Sequence, residues 1–302
     1  MAMDEVTNMA MPMMKNGKGV VSILDESLFT GEPKQYKLYC TADPGFISIA
    51  AVDTGRNRIA GFEGFHFNKL LTEEQLSQKI SGLTLQSSIL KKVDFRNVSV
   101  LFSGNRFTLI PAALYKESDA KDFFYFNQKN DASETIHSDR LRGYDAVNIF
   151  GVPDALHSAF SKLFEKFSVH HQLSAIIESA RLLPSKHSST PVFIHLHSSA
   201  LDIVVLNERK LVFANSFSFI TVDDAIYFVM MVREQLALHP EKTEVILSGE
   251  IENDNSFARQ LMKFLPQLSF AERTKSVSFT YGFDTLPGHF YHSAFSHLLC
   301  ES

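Results

Sequence analysis

Apolar and polar positions along the chain fall into the same order twice. Phe46-Ile-Ser-Ile-Ala-Ala-Val52 is a short apolar, β-rich run bounded by turn residues, and Ala200-Leu-Asp-Ile-Val-Val-Leu206 is another. Each predicts a strand. After turns through Asp53-Thr-Gly-Arg56 and Asn207-Glu-Arg209, residues 58–67 align without a gap on residues 210–219, both ending in Phe-x-Phe. The period of two puts those paired rings on one sheet face. Thr72 and Thr221 then stand as N-caps before helices, each followed by acids that suit a helix N-terminus. Val98-Ser-Val-Leu-Phe-Ser-Gly104 and Glu244-Val-Ile-Leu-Ser-Gly249 predict a further strand in each copy, both ending in Ser-Gly.

Between the copies lies a segment with its own pattern: strands over 106–111, near 135–141 and 146–151, with a helix near 118–126. It reads as a small inserted α+β subdomain. Pro153 suits the first turn of a following helix, whose Leu156, Ala159, Phe160, Leu163, Phe164 and Phe167 recur at three and four. A short strand at 168–171 and a helix carrying Leu173, Ile176, Ile177, Ala180 and Leu183, stopped by Pro184, complete the first copy. The second closes with a helix over 255–264, a strand over 267–271 and a last helix around 289–299. Each half reads βββαβαβα. The division expected is a disordered Met-rich tail (1–19), a first half (20–186, insertion about 106–152) and a second half (187–302).

A chain of 302 residues, 45% hydrophobic, can bury one large core or two ordinary ones. Its net charge of −5 argues against a nucleic-acid surface, which needs clustered Lys and Arg. Two cysteines, Cys40 and Cys300, build no disulfide framework. With neither a signal-peptide pattern nor an apolar run of about 18 residues that would cross a membrane, a cytoplasmic location is expected.

The Phe107-Thr-Leu-Ile-Pro-Ala-Ala-Leu-Tyr115, Val147-Asn-Ile-Phe-Gly-Val-Pro153 and Phe213-Ala-Asn-Ser-Phe-Ser-Phe219 runs, set in two βββαβαβα halves, carry a resemblance. From residue 38 onward the chain resembles the actin-like superfamily, which includes sugar kinases, Hsp70 and bacterial actin homologues. More narrowly it is similar to an uncharacterised bacterial family, a domain of unknown function with an actin-like fold. The insertion resembles that of actin homologues of cell division and type IV pilus assembly. The resemblance implies a mixed α/β, actin-like or ribonuclease H-like fold of duplicated halves, and family membership implies no activity.

In nucleotide-binding members of the superfamily, an Asp-x-Gly hairpin turn in each half holds phosphate. The first copy has Asp43-Pro44-Gly45, in which Pro44 removes a backbone donor and Pro-Gly is also the pattern of a type II turn. The second has His197-Ser198-Ser199, without acid or glycine. The superfamily's adenosine loop corresponds to Ser248-Gly249-Glu250, where the second glycine is a glutamate. Asp43 and Asp202 read as ordinary turn and strand-face acids. His195 and His197 share a strand face at a spacing that can bind zinc, with no acidic or cysteine partner at metal-ligand spacing nearby; histidines scattered on sheet edges and helix surfaces are the plainer reading. No catalytic or metal residue is nominated. The expectation is a non-catalytic actin-like binding or scaffolding module for another protein, with a degenerate nucleotide site. The alternative is an ATPase or phosphotransferase holding ATP and magnesium in the cleft between halves, lined by Asp43, Gly45, Ser248 and Gly249.

Overall fold

The computed structural model describes residues 19–30, 36–93, 95, 97–130, 133–183, 190–198, 200–251 and 255–300. Most of the Met-rich tail, Pro184 and the 186/187 boundary lie outside the described residues. The first sheet starts with β1 (Val20–Leu24), β2 (Tyr36–Asp43), β3 (Phe46–Asp53) and β4 (Arg58–His66). Helix α1 (Glu73–Ser81) and β5 (Asn97–Phe102) follow. The insertion is β6 (Phe107–Pro111), α2 (Ala120–Asn127), β7 (Glu134–Leu141) and β8 (Ala146–Pro153). Helix α3 (Asp154–Leu163), β9 (Ser168–His171) and α4 (Gln172–Ala180) complete this part. The second sheet comes from β10 (Val192–Leu196), β11 (Ala200–Asn207), β12 (Lys210–Ser218), α5 (Val222–Gln235), β13 (Val245–Gly249), α6 (Ser256–Phe264) and β14 (Leu268–Phe270). A short β15 (Ser278–Phe279) and α7 (His292–Ser296) end the chain.

The two sheets repeat one topology. Their orders are β4-β3-β2-β5-β9 and β12-β11-β10-β13-β14, each with three antiparallel strands followed by two parallel ones. Register gives the correspondence residue by residue: Ile47 pairs with Phe65 as Leu201 pairs with Phe217. Both hairpins also carry a register shift at the matching place, after Ala51 and after Val205. A bulge repeated at one position is hard to obtain except by duplication, since its extra residue has no intrinsic reason to recur there. The shared Ser-Gly ending, by contrast, is a coincidence of sequence. Leu38 faces Val98 and Val192 faces Val245, so the counterpart of Gly249 is Phe102, and Gly104 lies two residues beyond its strand.

Local signals account for the helix starts. Thr72 and Gln75 form a capping box on α1, and Thr221 and Asp224 form one on α5, each satisfying donors that a helix N-terminus leaves open. Within α5, Ile226 and Val229 are buried as the apolar pattern requires, but Met230 and Leu236 are only half-buried, and Ala225 and Val232 complete the inner face. Apolar residues nearly encircle this helix, yet it packs chiefly on one side.

Helix α4 is different. All nine of its residues are buried. Its Leu173, Ile176 and Ile177 share one apolar cluster with Phe193, Val204, Leu206 and Ile246 of the second sheet, so this helix is the layer between the sheets. The chain end crosses back as well. Phe283, Phe290, Tyr291 and Phe295 pack with Tyr39, Phe46 and Phe62 on the first sheet, and β15 pairs with β4. The insertion has its own small core of Ile110, Phe124, Val147 and Ile149.

Candidate functional site

The two expected phosphate turns sit at equivalent ends of equivalent hairpins, and the fold brings them face to face. Asp43 ends β2, His197 follows β10, and the matched registers make them counterparts. They bond each other: His197 Nδ1 lies 3.3 Å from Asp43 Oδ2. On its other side, His197 Nε2 lies 3.6 Å from Asp202 Oδ1. All three side chains are buried.

Burial opposes charge on His197, but Asp202 and Asp43 overcome it and raise its pKa from 6.5 to about 10. Burial likewise opposes charge on Asp202, and the His197 cation brings it down to about 2. Asp43 is lowered too, against burial, by the hydrogen bond and charge of His197 and by bonds from Ser198 and the Gly45 N–H. The site is an ionised clasp, Asp⁻–His⁺–Asp⁻. Gln172 of α4 ties it to the helix layer, donating to Asp202 Oδ2 at 3.2 Å and accepting from Ser103 Oγ.

The turn's remaining groups are also occupied. The Gly45 N–H, the donor an anion would need, is given to Asp43 Oδ1 at 2.8 Å. The Pro44 and Gly45 carbonyls accept from Leu71 and Phe67. Gly249 is the sole positive-φ glycine among the described residues, so Pro44-Gly45 does not form the type II turn that its sequence suggests. Glycine stands at 45 for space: a Cβ there would overlap the Ser198 side chain of the opposite turn.

The second candidate loop has a different logic. Gly249 has φ of 112°, and a Cβ at that position would overlap the Leu196 carbonyl oxygen, so only glycine fits. Ser248 Oγ is 3.0 Å from His195 Nδ1 and serves that buried ring. Glu250 does not present the negative charge its sequence position suggests. Desolvation first, and the Asp43 charge second, raise its carboxyl well above the usual range, toward the neutral acid. It lies 3.4 Å from His66 Nδ1, while His66 Nε2 lies 2.9 Å from the Tyr291 hydroxyl. Burial lowers His66 to about 4, so this pair is held as neutral groups.

Asp43, Gly45 and Gly249 thus do converge at one place, with Ser248 directed to His195. What remains open between them is a cavity of about 20 Å³ lined by Phe46, His197, Ser198, Gly249, Glu250 and Tyr291. The histidines depart from the surface reading: His171, His195, His289, His292 and His297 are buried. Of the acids near His197, Asp202 is five residues on and returns to it across the β10–β11 turn, while Asp43 comes from the other half of the chain, which is why spacing concealed it. Among the described residues, no group of three or more His, Cys, Asp or Glu side chains is arranged to hold a metal ion.

A family profile described as a protein of unknown function (DUF3822) matches residues 25–268. The chain belongs to this family. A search of curated proteins returns no match for this DUF3822 chain. Among solved structures it is similar to a Bacteroides thetaiotaomicron protein with an actin-like ATPase fold and unknown function, at 22% identity and a TM-score of 0.71, covering 85% of this chain and 96% of that one. It is also similar to the PilM-PilN type IV pilus biogenesis complex, at 12% identity and a TM-score of 0.55, covering 88% of this chain and 98% of that one. At these identities the likeness shows the fold alone: DUF3822 is an actin-like fold. Among the described residues no helix is long and apolar enough to cross a membrane.

Proposed function

We propose that this DUF3822 chain is a non-catalytic, actin-like binding protein whose nucleotide cleft is closed by bonds between its own two phosphate turns. The observation carrying this reading is the Asp43–His197–Asp202 clasp. In a nucleotide-holding relative, the two turns stand on either side of the phosphates. Here the counterpart turns touch, and the donor nearest the cleft serves Asp43 itself.

Size supports the same reading. A cavity of about 20 Å³ has room for about one water molecule. Pockets that enclose small-molecule ligands run to roughly 300 Å³ or more. To admit a nucleotide the halves would have to part, break a buried ion pair and leave Asp43 and Asp202 without their cation. That rearrangement would cost several kcal/mol from any binding energy. On this reading Asp43, Gly45, Ser248 and Gly249 are closing residues of the cleft. The ligand class this reading favours is a protein partner, and the chain's fold is shared with a PilM-PilN type IV pilus biogenesis complex, an assembly of two proteins.

Thermal-shift and calorimetric titration with ATP and ADP, with and without magnesium, test the proposal. A ligand that binds the native state at a hundredfold excess over Kd stabilises it by about 2.7 kcal/mol, a readily measured shift. No shift and no magnesium-dependent hydrolysis are expected. Saturable, magnesium-dependent ATP binding would overturn the proposal and favour the ATPase or phosphotransferase alternative.

A further inference from the structure

The duplication is broken at one edge. In the first sheet the outer strand β4 is covered: β1 pairs antiparallel with Gly61 to Phe65, and β15 pairs with Arg58 and Ile59. The matching strand of the second sheet, β12, is terminal in the strand order. By register, the counterparts of Gly61–Phe65 are residues 213–217, the run Phe-Ala-Asn-Ser-Phe. Among the described residues, a stretch shaped to receive an antiparallel strand in one half therefore has no such partner in the other. Open edges are templates for pairing and are usually blunted.

The surroundings of this edge are apolar. Val212 is 49% exposed, Ile220 65% and Tyr227 63%. Phe213 stacks on Phe217 at 6.4 Å, Phe217 on Phe228 at 4.8 Å, and Tyr227 meets Phe228 at 5.6 Å, forming an aromatic ladder along the edge. The Ser216 N–H donates to the Asn215 side chain at 2.9 Å. Such local self-capping is the makeshift of a backbone donor on a side without a neighbouring strand.

The run itself identifies the occupant. Phe-Ala-Asn-Ser-Phe is a palindrome in shape: aromatic, small, Asn, small, aromatic. Antiparallel pairing with a second copy about a two-fold axis at Asn215 sets Phe213 against Phe217 twice, Ala214 against Ser216 twice and Asn215 against itself. Isologous contacts need this self-complementarity, and aromatic cross-strand pairs are among the stabilising ones. The same register carries exposed Lys210 of each copy opposite Ile220 of the other, toward the acidic start of α5 at Asp223 and Asp224. The geometry points to β12 pairing with β12 of a second copy, joining two five-stranded sheets into one continuous sheet across a two-fold axis. This assembly is independent of the closed cleft.

Sedimentation equilibrium and light scattering of the full chain at micromolar concentrations test it, with a reversible dimer as the expected result. Asn215→Cys in a Cys300→Ser background should become a disulfide-linked dimer under mild oxidation, because facing residues of an antiparallel pair lie about 4.5–5.5 Å apart at Cα, within disulfide reach. Val212→Cys, which faces Ser218 of the other copy and not itself, should not cross-link. Ser216→Pro should dissociate the dimer, with some loss of Tm because the Ser216 hydroxyl bonds Asp202 of the clasp. Should that variant fail to fold, Asn215→Lys, which sets two cations against each other on the axis, gives the same readout. A chain that is monomeric throughout, or that dimerises without cross-linking at residue 215, overturns the inference. So does a monomer that instead takes an unrelated extended peptide along β12.

Discussion

Replacing His197 by asparagine removes the cation of the clasp while keeping a side chain able to hydrogen-bond. The pKa of His197 stands at about 10 against 6.5 for the free side chain. At about 1.4 kcal/mol per unit, that difference stabilises the folded state by about 5 kcal/mol when histidine is charged in both states. The group's folded pKa is raised, so its contribution is complete below pH 6.5, is about 4 kcal/mol at pH 7, and disappears as pH climbs through about 10. In His197→Asn the two buried acids lose their counter-charge, and a loss of roughly 3–5 kcal/mol at pH 7 is expected, comparable with a domain's whole stability of about 5–15 kcal/mol. Asp43→Asn combined with His197→Asn should recover part of it, because a neutral pair replaces a stranded charge. The assay is urea unfolding followed by circular dichroism from pH 6 to pH 10. The histidines whose pKa burial lowers (His66, His137, His171, His195, His289 and His292) add stability as pH rises through 6 to 7 in both proteins, so the readout is the difference between wild type and His197→Asn, which should be about 4 kcal/mol at pH 7 and shrink steadily towards pH 10. A difference that does not change with pH, or a variant within about 1 kcal/mol of the wild type at pH 7, would refute the assignment of an ionised clasp.

Two further outcomes test the packing. Gly249→Ala forces a side chain into a left-handed backbone whose Cβ meets the Leu196 carbonyl, so stability should fall by about 3 kcal/mol or more, read as a drop in Tm, and the same loss with Gly104→Ala, which has open space around it, would count against this account. On α5, Val229→Asp buries an unpaired charge and should abolish soluble expression, whereas Met230→Asp on the half-buried flank should give folded protein with a lower Tm; equal severity would contradict the one-sided packing of that helix.

How far the sequence disclosed this molecule depends on the range of the interaction concerned. Hairpin pairs, their bulges and the capping boxes are settled within a few residues of chain, and the gapless match of residues 58–67 with 210–219 survives as a match of register. Elements that form only against a distant partner were invisible. β1 has a weak pattern of its own and is a strand because β4 offers it an edge, and the two-residue β15 exists for the same reason. The histidines follow this rule most sharply: His197 and Asp43 are 154 positions apart, and no spacing along the chain announces an ion pair of that span. Glu250 shows the same limit for charge, since burial pushes this carboxyl toward the neutral acid and no local pattern reports that burial.

The duplication explains why the clasp falls where it does. In a fold of two equivalent halves facing each other, equivalent turns converge near the approximate axis between them, so whatever stands at one turn meets its counterpart at the other. Acids at both turns would repel across a dry gap, and a cation between them, such as the magnesium of a bound nucleotide, would be needed to hold the halves together. This chain keeps the acid at the first turn, Asp43, and has histidine at the second. The positive charge then comes from the protein itself, on a side chain anchored from behind by Asp202. On the function proposed above, histidine at residue 197 lets the cleft be held shut by the chain's own charges, while the surrounding sheets and helices keep their actin-like arrangement.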